Sequence, residues 1–530
     1  MILQVLSVAR EEQIVGFNVD FWNHILDLIF YGDLTSSLAT TRTKDGEQKQ
    51  NDGSEEIKRE EEEKHNFLNN VASVLGLKIE QQHEKKDIIL SILFHACHHC
   101  CTNNKHRNST TSKQNNEEEA KEQEPMLVDA FILIQAWYDT LCLCYILENQ
   151  AEEVEAETTR KLLLKCYPTK NPRSDLSFLI QSLSSFYDEH DISSSEKGKA
   201  VRDVTLIHFC SWSKEIMPLL HKPITTFMRE NIFFFPSSSS INEKEAVTEV
   251  TMKMNKKSFI LGGYTLSPRA CALSCMSSHF SGKWHRLYAS DHDGLSFQSL
   301  QHSLLGYAGP TLLLIRSTSS TNNDGNSIIG AYTSTPIRNS GDTYFGDDDC
   351  FLFRLCPDIR MYRPSNNSNR KFVFFRGIPT GKVRSDLSLH GWGFGGVARS
   401  PRLFVRGTFD DCTAAVRDTT YDHGPLLSTE DVTNSTVRFD IESLEVWGVG
   451  ADNIIEKALH LYGGYRQTAD AALEKARTVD KAQFMADFKS GLFESNFFAH
   501  RQQMQMGRGE CLLDGCVNDD EDWSSDEGDS

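Results

Sequence analysis

The first 245 residues alternate between stretches with apolar residues at three- and four-residue spacings and stretches with almost none. Residues 41–65 and 102–125 are charged and polar, and we expect them to be disordered inserts. The regular spacing has the period of an amphipathic helix. The pattern predicts a helical N-terminal domain over residues 1–245, with helices at residues 14–30, 67–79, 87–97, 126–148 and 152–166.

An aromatic-rich run at residues 201–235 carries two prolines, Pro218 and Pro223. A proline inside a helix removes a backbone hydrogen bond and clashes with the preceding turn, so one long helix is excluded there. We expect two or three short helices instead. Four serines at positions 237–240 follow as a linker.

After Ser258 the pattern changes, because short apolar runs now alternate with Gly, Asn and Asp. This alternation predicts strands. In the last of them Phe439 and Ile441 share a face, and Leu444 and Val446 resume the alternation after a one-residue slip, which predicts a β-bulge. The predicted strands cover residues 311–316, 327–333, 350–356, 371–376, 402–406 and 437–447.

Helical spacing returns in residues 451–510, where Phe484, Phe488 and Leu492 stand four residues apart on one face. Such a stripe packs against a core more often than it fills a partner's groove. Residues 511–530 form an acidic tail. The chain is therefore predicted to be α+β, with a helical N-terminal domain, a strand-rich domain over residues 248–450 and C-terminal helices.

Composition changes this picture in two respects. The net charge of -19 would repel a phosphate backbone, so we expect no nucleic-acid partner. The fourteen cysteines are spread along a chain whose first residues lack a cationic leader, so we expect a reducing, cytoplasmic compartment. Asp129 and Asp139 interrupt the most apolar stretch, which favours a buried helix over a transmembrane segment.

Two short motifs contain residue types that bind metals but lack the spacing that a metal site requires. His95, Cys97, His98 and Cys100 are zinc-ligand types without a second spaced pair, which favours a helix end that enters a loop. Asp293 and Gly294 would need a carboxylate where Leu300 stands to be an EF-hand, so a turn is expected. Neither motif predicts a metal or another cofactor.

The glycines at 391, 393 and 396 satisfy the GxGxxG pattern of dinucleotide-binding loops. That pattern cradles pyrophosphate only where it joins a strand to the start of a helix. Here Pro401 and a strand-like run follow. The sequence therefore predicts a tight crossing within a sheet.

Nucleophilic or acid–base chemistry would have to use a cysteine or Glu445. Cysteine is among the most often buried residue types, and a reactive thiol needs a neighbouring cation or a helix N-terminus to lower its pKa. Glu445 stands among apolar residues, and a desolvated carboxylate needs partners. We favour a structural acceptor over a functional group. The candidate cysteines are Cys271, Cys275, Cys350, Cys356 and Cys412.

Blocks of aromatic, glycine and acidic residues follow one another in a fixed order between Ser258 and Gly450. Each block alone is weak, but the ordered set resembles the TLDc domain family. The blocks include Trp284, Leu287, Tyr288, Asp293, Gly294, Gly309, Pro310, Ile329, Gly330, Ala331, Tyr332, Tyr344, Phe345, Gly346, Gly393, Phe394, Gly395, Gly396, Leu444, Glu445, Val446, Trp447 and Gly448.

The resemblance implies a sandwich of two antiparallel sheets with flanking helices. It also implies a role in resistance to oxidative stress, since members of the family have that association and several bind the vacuolar proton ATPase. The run at residues 209–234 looks like the helical, EF-hand-like region that precedes the domain in larger members. The candidates for a family motif or a partner surface are Trp284, Asp293, Gly294, Gly330, Gly346, Gly396, Glu445, Trp447 and Gly448.

Three functions remain open at this point. The favoured one is a non-catalytic regulatory protein that binds a protein partner, with ATPase subunits as the expected partner, and so associates peripherally with a lysosome or vacuole. A redox or hydrolytic enzyme would use one of the candidate cysteines or Glu445. A scaffold would act mainly through the helical N-terminal domain.

Overall fold

The computed structural model describes residues 2–11, 19, 22, 89–98, 127–148, 156–167, 172–190, 203–227, 253–262, 266–280, 282–318, 327–366, 368–378, 387–427 and 436–489. The chain divides into one compact unit, Met1–Leu461, and a second unit, Tyr462–Ser530. The first unit contains the helical half and all of the strands. The predicted inserts and the predicted helix at residues 67–79 lie outside the described residues.

Eight helices in the described residues precede the strand-rich part. They are α1 (Ile2–Glu11), α2 (Ile89–His98), α3 (Ala130–Glu148), α4 (Ala156–Cys166), α5 (Pro172–Asp175), α6 (Ser177–His190), α7 (Leu206–Ile216) and α8 (His221–Phe227). Two strands of two residues, β1 (Val128–Asp129) and β2 (Asp203–Val204), pair antiparallel and lead into α3 and α7.

Pro218 and Pro223 limit the helices of this run, as predicted. Helix α7 begins after Thr205, whose hydroxyl accepts a hydrogen bond from the His208 amide, and it ends before Pro218. Pro223 lies in the first turn of α8, where its missing N–H has no intrahelical partner to lose. The prediction of separate short helices in this run is confirmed.

Helix α3 is the most apolar helix of the described residues. Its window Ala130–Leu147 is long and apolar enough to cross a membrane by composition, and 72% of that window is buried inside the protein. Asp139 is fully buried and accepts a hydrogen bond from the Tyr167 hydroxyl, so its carboxyl group has a hydrogen-bond partner within the core. The helix occupies the centre of the helical half, as the buried-helix prediction requires.

Eleven strands follow in the part of the chain that the structure describes. They are β3 (Lys253–Met254), β4 (Lys283–Ala289), β5 (Thr311–Thr318), β6 (Ser327–Thr333), β7 (Phe351–Cys356), β8 (Arg360–Tyr362), β9 (Val373–Arg376), β10 (Gly391–Phe394), β11 (Leu403–Arg406), β12 (Cys412–Ala415) and β13 (Thr436–Gly450). All pair antiparallel except β3 with β4. The helices α9 (Pro268–Met276), α10 (Ser290–Asp293) and α11 (Phe297–Leu304) flank them.

The long strand β13 belongs to both halves of the sheet. It pairs with β4 and β5 in the order β8-β7-β6-β5-β13, and the path continues through β12, β11, β10 and β9. Its register shifts between Ile441 and Ser443, which confirms the predicted bulge. A second shift, between Val446 and Trp447, was not predicted. The α+β fold with a sandwich-like antiparallel sheet is therefore as the sequence predicted.

The helical half and the sheet share one hydrophobic core. Ser182 on α6 donates to the Ile359 carbonyl at 2.6 Å, and it accepts from the Trp212 indole at 3.0 Å. Tyr138 on α3 donates to the Leu266 carbonyl at 2.7 Å. The boundary predicted near residues 245–248 stays a prediction, but no break in the core accompanies it among the described residues.

Residues 451–489 contain one continuous helix, α12 (Asp452–Lys489). The C-terminal helices were predicted over residues 451–510, of which residues 490–510 lie outside the described residues. In the first unit its start is fixed by buried Ile455 and Ala458 and by an ion pair of 2.7 Å between Lys283 and Glu456. The side chains of Phe484 and Phe488, Leu492 and the acidic tail lie outside the described part of the chain.

Candidate functional site

Four donors converge on the carboxylate of Glu445, which is only 1% exposed. Oε1 accepts from the amides of Phe259 at 2.7 Å and Ile260 at 3.2 Å. Oε2 accepts from the Ser258 hydroxyl at 2.6 Å and the Trp447 indole at 2.9 Å. Each oxygen therefore holds two hydrogen bonds, which compensates for the loss of water around the buried carboxylate.

The turn at residues 258–261 is built to make these donors available. The Ser258 hydroxyl also accepts from the Leu261 amide at 3.0 Å, and Arg316 donates to the Phe259 carbonyl at 2.9 Å. A general base or nucleophile needs a free lone pair within reach of a substrate. Both Glu445 oxygens are instead occupied inside the core, so the geometry fits the structural interpretation of this residue.

Three other motif residues lie beside Glu445. The Trp284 and Trp447 rings, both buried, have centroids 6.0 Å apart, and the Trp284 indole donates to the Phe280 carbonyl at 2.8 Å. Gly448 gives room to Tyr307, because a Cβ there would lie 2.3 Å from the tyrosine hydroxyl. The sequence motif around Glu445 therefore marks a packed part of the core.

Asp293 and Gly294 form the exposed turn that the sequence predicted. The Asp293 carboxylate accepts from the Ala289 amide at 2.9 Å, which closes the turn. Gly294 has φ 76°, in the left-handed region that favours glycine. Its carbonyl accepts from the Tyr288 hydroxyl at 2.6 Å. Both residues are exposed, and their partner-surface role stays a prediction.

The remaining motif glycines lie elsewhere in the sheet. At Gly330 an added Cβ would meet the Phe353 ring at 2.2 Å, and at Gly346 it would meet the Cys350 sulfur at 3.0 Å. The Gly396 amide donates to a carboxylate oxygen of Asp418 at 2.9 Å. The nine motif residues thus do not form one cluster.

The GxGxxG segment consists of β10 and the first residues of the turn that leads to β11. Gly393 lets the Phe374 ring lie across the sheet, since a Cβ would meet that ring at 2.1 Å. Because no helix begins after Gly396, the arrangement lacks the helix N-terminus that would hold a pyrophosphate. The predicted tight sheet crossing is confirmed.

A buried charged network that the sequence did not reveal lies next to that crossing. Arg402 is fully buried, donates to the carbonyls of Ala415 and Gly424, and places its Nε 3.8 Å from an Asp418 oxygen. Burial lowers the pKa of Arg402, and Asp418 opposes that shift. Arg402 and its partners have no characteristic spacing in the sequence, so no sequence pattern could have predicted this network.

All five candidate cysteines are buried. Burial raises the pKa of Cys275 and of Cys412 to about 12, against opposing effects of the Ser274 side chain and the Arg406 amide respectively. Burial also raises the pKa of Cys271, Cys350 and Cys356. A thiol with a raised pKa holds little of the nucleophilic thiolate at neutral pH.

This burial predicts a loss of stability at alkaline pH. A thiol of an unfolded chain ionises near pH 8.5, so above that pH the unfolded state loses its protons before the native state does. The free energy of unfolding then falls as pH rises, by about 2 kcal/mol at pH 10 for a thiol whose pKa is near 12. Urea titrations at pH 7 and pH 10 measure the fall. It should be smaller in Cys275→Ala by about that amount, and an equal fall in both proteins would contradict the prediction.

The histidine and cysteine cluster is only partly described. His95 and Cys97 lie on α2, where the His95 ring contacts the Ser91 carbonyl at 2.8 Å and Cys97 is fully buried. His99, Cys100 and Cys101 lie outside the described residues. Within the described ranges, no three His, Cys, Asp or Glu side chains are grouped so as to hold a metal ion.

The sheet, its bulged long strand and the packed motif around Glu445 all lie within one matched region. The family model of the TLDc domain matches residues 249–450. Residues 249–450 form a TLDc domain. The resemblance read from the ordered blocks is confirmed.

Similar proteins include two kinds that contain this TLDc domain. The chain is 28% identical to "Restriction of telomere capping protein 5" of Pyricularia oryzae, over 35% of this chain and 36% of that protein. It is 24% identical to the protein of that name from Colletotrichum graminicola, over 31% and 32%. It is 28% identical to "Oxidation resistance protein 1" of Xenopus laevis, over 21% and 11%. The chain thus spans about a third of the fungal relatives' length.

Proposed function

We propose that this chain is a non-catalytic regulatory protein that acts in resistance to oxidative stress by binding a protein partner. The TLDc domain and the relative named for oxidation resistance support the general role. The environment of Glu445 carries the non-catalytic part, because its two oxygens are filled by four donors inside the core. The candidate thiols are buried and have raised pKa values, which supports the same conclusion.

The partner that we propose is a subunit of the vacuolar proton ATPase, as the resemblance implies. The start of α12 offers a surface for it, since Ile454 is 45% exposed and Leu461 is 53% exposed. These residues stand seven apart and therefore share a helix face. Ile455 and Ala458 of the same turns are buried in the core of the first unit, so the two exposed side chains border the packed part of the helix.

The proposal is tested by co-purification from organelle membranes with the full chain as bait. Enrichment of ATPase subunits over an unrelated bait is expected, with a loss of about tenfold in the double variant Ile454→Asp, Leu461→Asp, because buried apolar anchors dominate interfaces. Leu389→Asp is the control, since Leu389 is also exposed but lies before β10. Absence of ATPase subunits from the full-chain sample would refute the partner. Equal loss in the control would refute the α12 surface.

A further inference from the structure

Two neighbouring turns of the TLDc domain expose large apolar side chains. Phe259 is 51% exposed, and its ring centroid lies 5.8 Å from that of His292 on α10. Leu295, which follows the Gly294 turn, is 48% exposed. Single exposed apolar residues are ordinary on protein surfaces. Here, however, an aromatic ring and an aliphatic side chain belong to turns that contact each other.

Basic side chains accompany these turns. Lys256 and Lys257, directly before the Ser258 turn, are both exposed, and neither has an ion-pair partner among the described residues. The Arg316 guanidinium lies beneath the turn, where it donates to the Phe259 carbonyl at 2.9 Å. Arg286 lies on β4, where its backbone amide donates to the Asn255 side chain at 2.9 Å.

The carboxylates of this region are those of Asp291 and Asp293 on α10, both exposed, and that of Glu445, which is buried beneath the Ser258 turn. The Asp293 carboxylate is engaged by the Ala289 amide. Four cationic side chains therefore stand against two exposed carboxylates and one buried carboxylate, on a chain whose net charge is -19. The surface is locally cationic on an acidic protein.

The exposed ring is carried by a turn with little freedom to move. Glu445 binds the amides of Phe259 and Ile260, Arg316 binds the Phe259 carbonyl, and the side chain of Ile260 is fully buried. These contacts hold Phe259 outward and leave its ring without a full apolar environment. A surface fixed in this way loses little conformational entropy when it binds.

We propose that the surface formed by Lys256, Lys257, Phe259, His292 and Leu295 contacts an anionic lipid bilayer directly. The two apolar side chains would enter the boundary between headgroups and acyl chains, and the lysines would lie at the level of the anionic headgroups. This contact needs no protein partner, so it does not rest on the proposed ATPase interaction.

A bilayer fits this surface better than an acidic peptide does. A peptide is usually bound in a groove or along a free sheet edge. The edge of β4 next to the turn is occupied, since β3 pairs with Trp284 and the Asn255 side chain accepts from the Arg286 amide. The acidic remainder of the chain would be repelled by an anionic bilayer, which favours an orientation with the cationic turns towards the lipid.

Vesicle flotation with the full chain tests the proposal. Vesicles of phosphatidylcholine alone are compared with vesicles that contain phosphatidylserine, in the absence of any other protein. We expect clearly stronger binding to the anionic vesicles, and a decrease in that binding as salt increases. Each lysine near an anionic surface contributes about a fivefold change in partition.

Two substitutions with one matched control locate the contact. Lys257→Glu and Phe259→Asp are each expected to lower the partition onto anionic vesicles at least about fivefold. Lys457→Glu, on the exposed side of α12, makes the same change of charge and should retain most of the binding. A thermal unfolding curve shows whether Phe259→Asp remains folded. If it does not, Lys257→Glu decides, because its side chain is exposed.

Three outcomes would overturn the proposal. The first is no difference between anionic and neutral vesicles. The second is an equal loss in Lys457→Glu, which would indicate a general charge effect. The third is that the unsubstituted chain does not bind vesicles while Lys257→Glu loses ATPase co-purification, which would assign the surface to a protein partner. Failure on vesicles with retained ATPase enrichment would leave the proposed function standing.

Discussion

Replacing Glu445 by glutamine lowers the free energy of unfolding of the full chain by about 3 kcal/mol. Whichever way the glutamine side chain turns, its amide nitrogen would face N–H or O–H groups that now donate hydrogen bonds to the carboxylate. A buried donor that is left without an acceptor costs about 1 to 3 kcal/mol. The donors affected lie in the turn at residues 258–260 and at Trp447. Urea denaturation followed by tryptophan fluorescence measures the change.

Glu442→Gln is the matched control for this substitution. Glu442 lies on the same strand, β13, but is exposed, so its replacement should change the free energy of unfolding by less than about 0.5 kcal/mol. A stability of Glu445→Gln equal to that of the control would contradict the structural role. A folded and equally stable Glu445→Gln protein would also reopen Glu445 as a functional carboxylate.

Removing residues 1–248 abolishes cooperative folding of the TLDc domain. The helical half and the TLDc domain share one hydrophobic cluster, in which Phe280, Trp284 and Trp447 of the domain and Trp137 and Trp212 of the helical half are all buried. Without the helical half, the apolar side chains of the domain that face it would meet water, and burying one such side chain contributes about 1.5 to 3 kcal/mol. The loss from several of them would match the usual net stability of a domain, about 5 to 15 kcal/mol.

Thermal unfolding of residues 249–530 should therefore show no cooperative transition. Residues 1–461 are the control, since they comprise the whole first unit and should unfold in one transition like the full chain. A single substitution tests the same contact more gently: Trp212→Ala should cost about 3 to 5 kcal/mol, and Ile207→Ala, on the exposed side of α7, almost nothing. A soluble, cooperatively folded 249–530 fragment would contradict the shared core.

Local patterns predicted much of the fold. Alternation located β6 at residues 327–333, and the slip after Ile441 predicted the bulge that the register shows. Two of the missed strands were hidden for physical reasons. β10 is only four residues long and was interpreted as a glycine motif, because Gly391 and Gly393 alternate with its two aromatic residues, and β12 is a short run of small residues. Strand signals in sequence come from longer runs of large apolar and β-branched residues, so such short strands remain hidden.

Of the candidate site, the sequence predicted the buried carboxylate but not the groups that donate to it. Glu445 stood out because a carboxylate among apolar residues needs partners. Its partners did not stand out, because Ser258 and the amides of Phe259 and Ile260 lie far away in sequence and carry no motif. The same holds for Ser182 and Ile359, which join the helical half to the sheet. Contacts between residues far apart in the chain produce no periodic pattern in the sequence.

The central claim is that the TLDc domain acts through its surface and not through a reactive group. Peroxide consumption by the purified full chain, with a metal chelator present, tests this most directly. We expect the same rate as for an equal concentration of the Cys275→Ser, Cys350→Ser and Glu445→Gln variants, and no turnover above buffer, because the thiols are buried and have raised pKa values. Catalytic turnover by the full chain that one of these substitutions abolishes would contradict it.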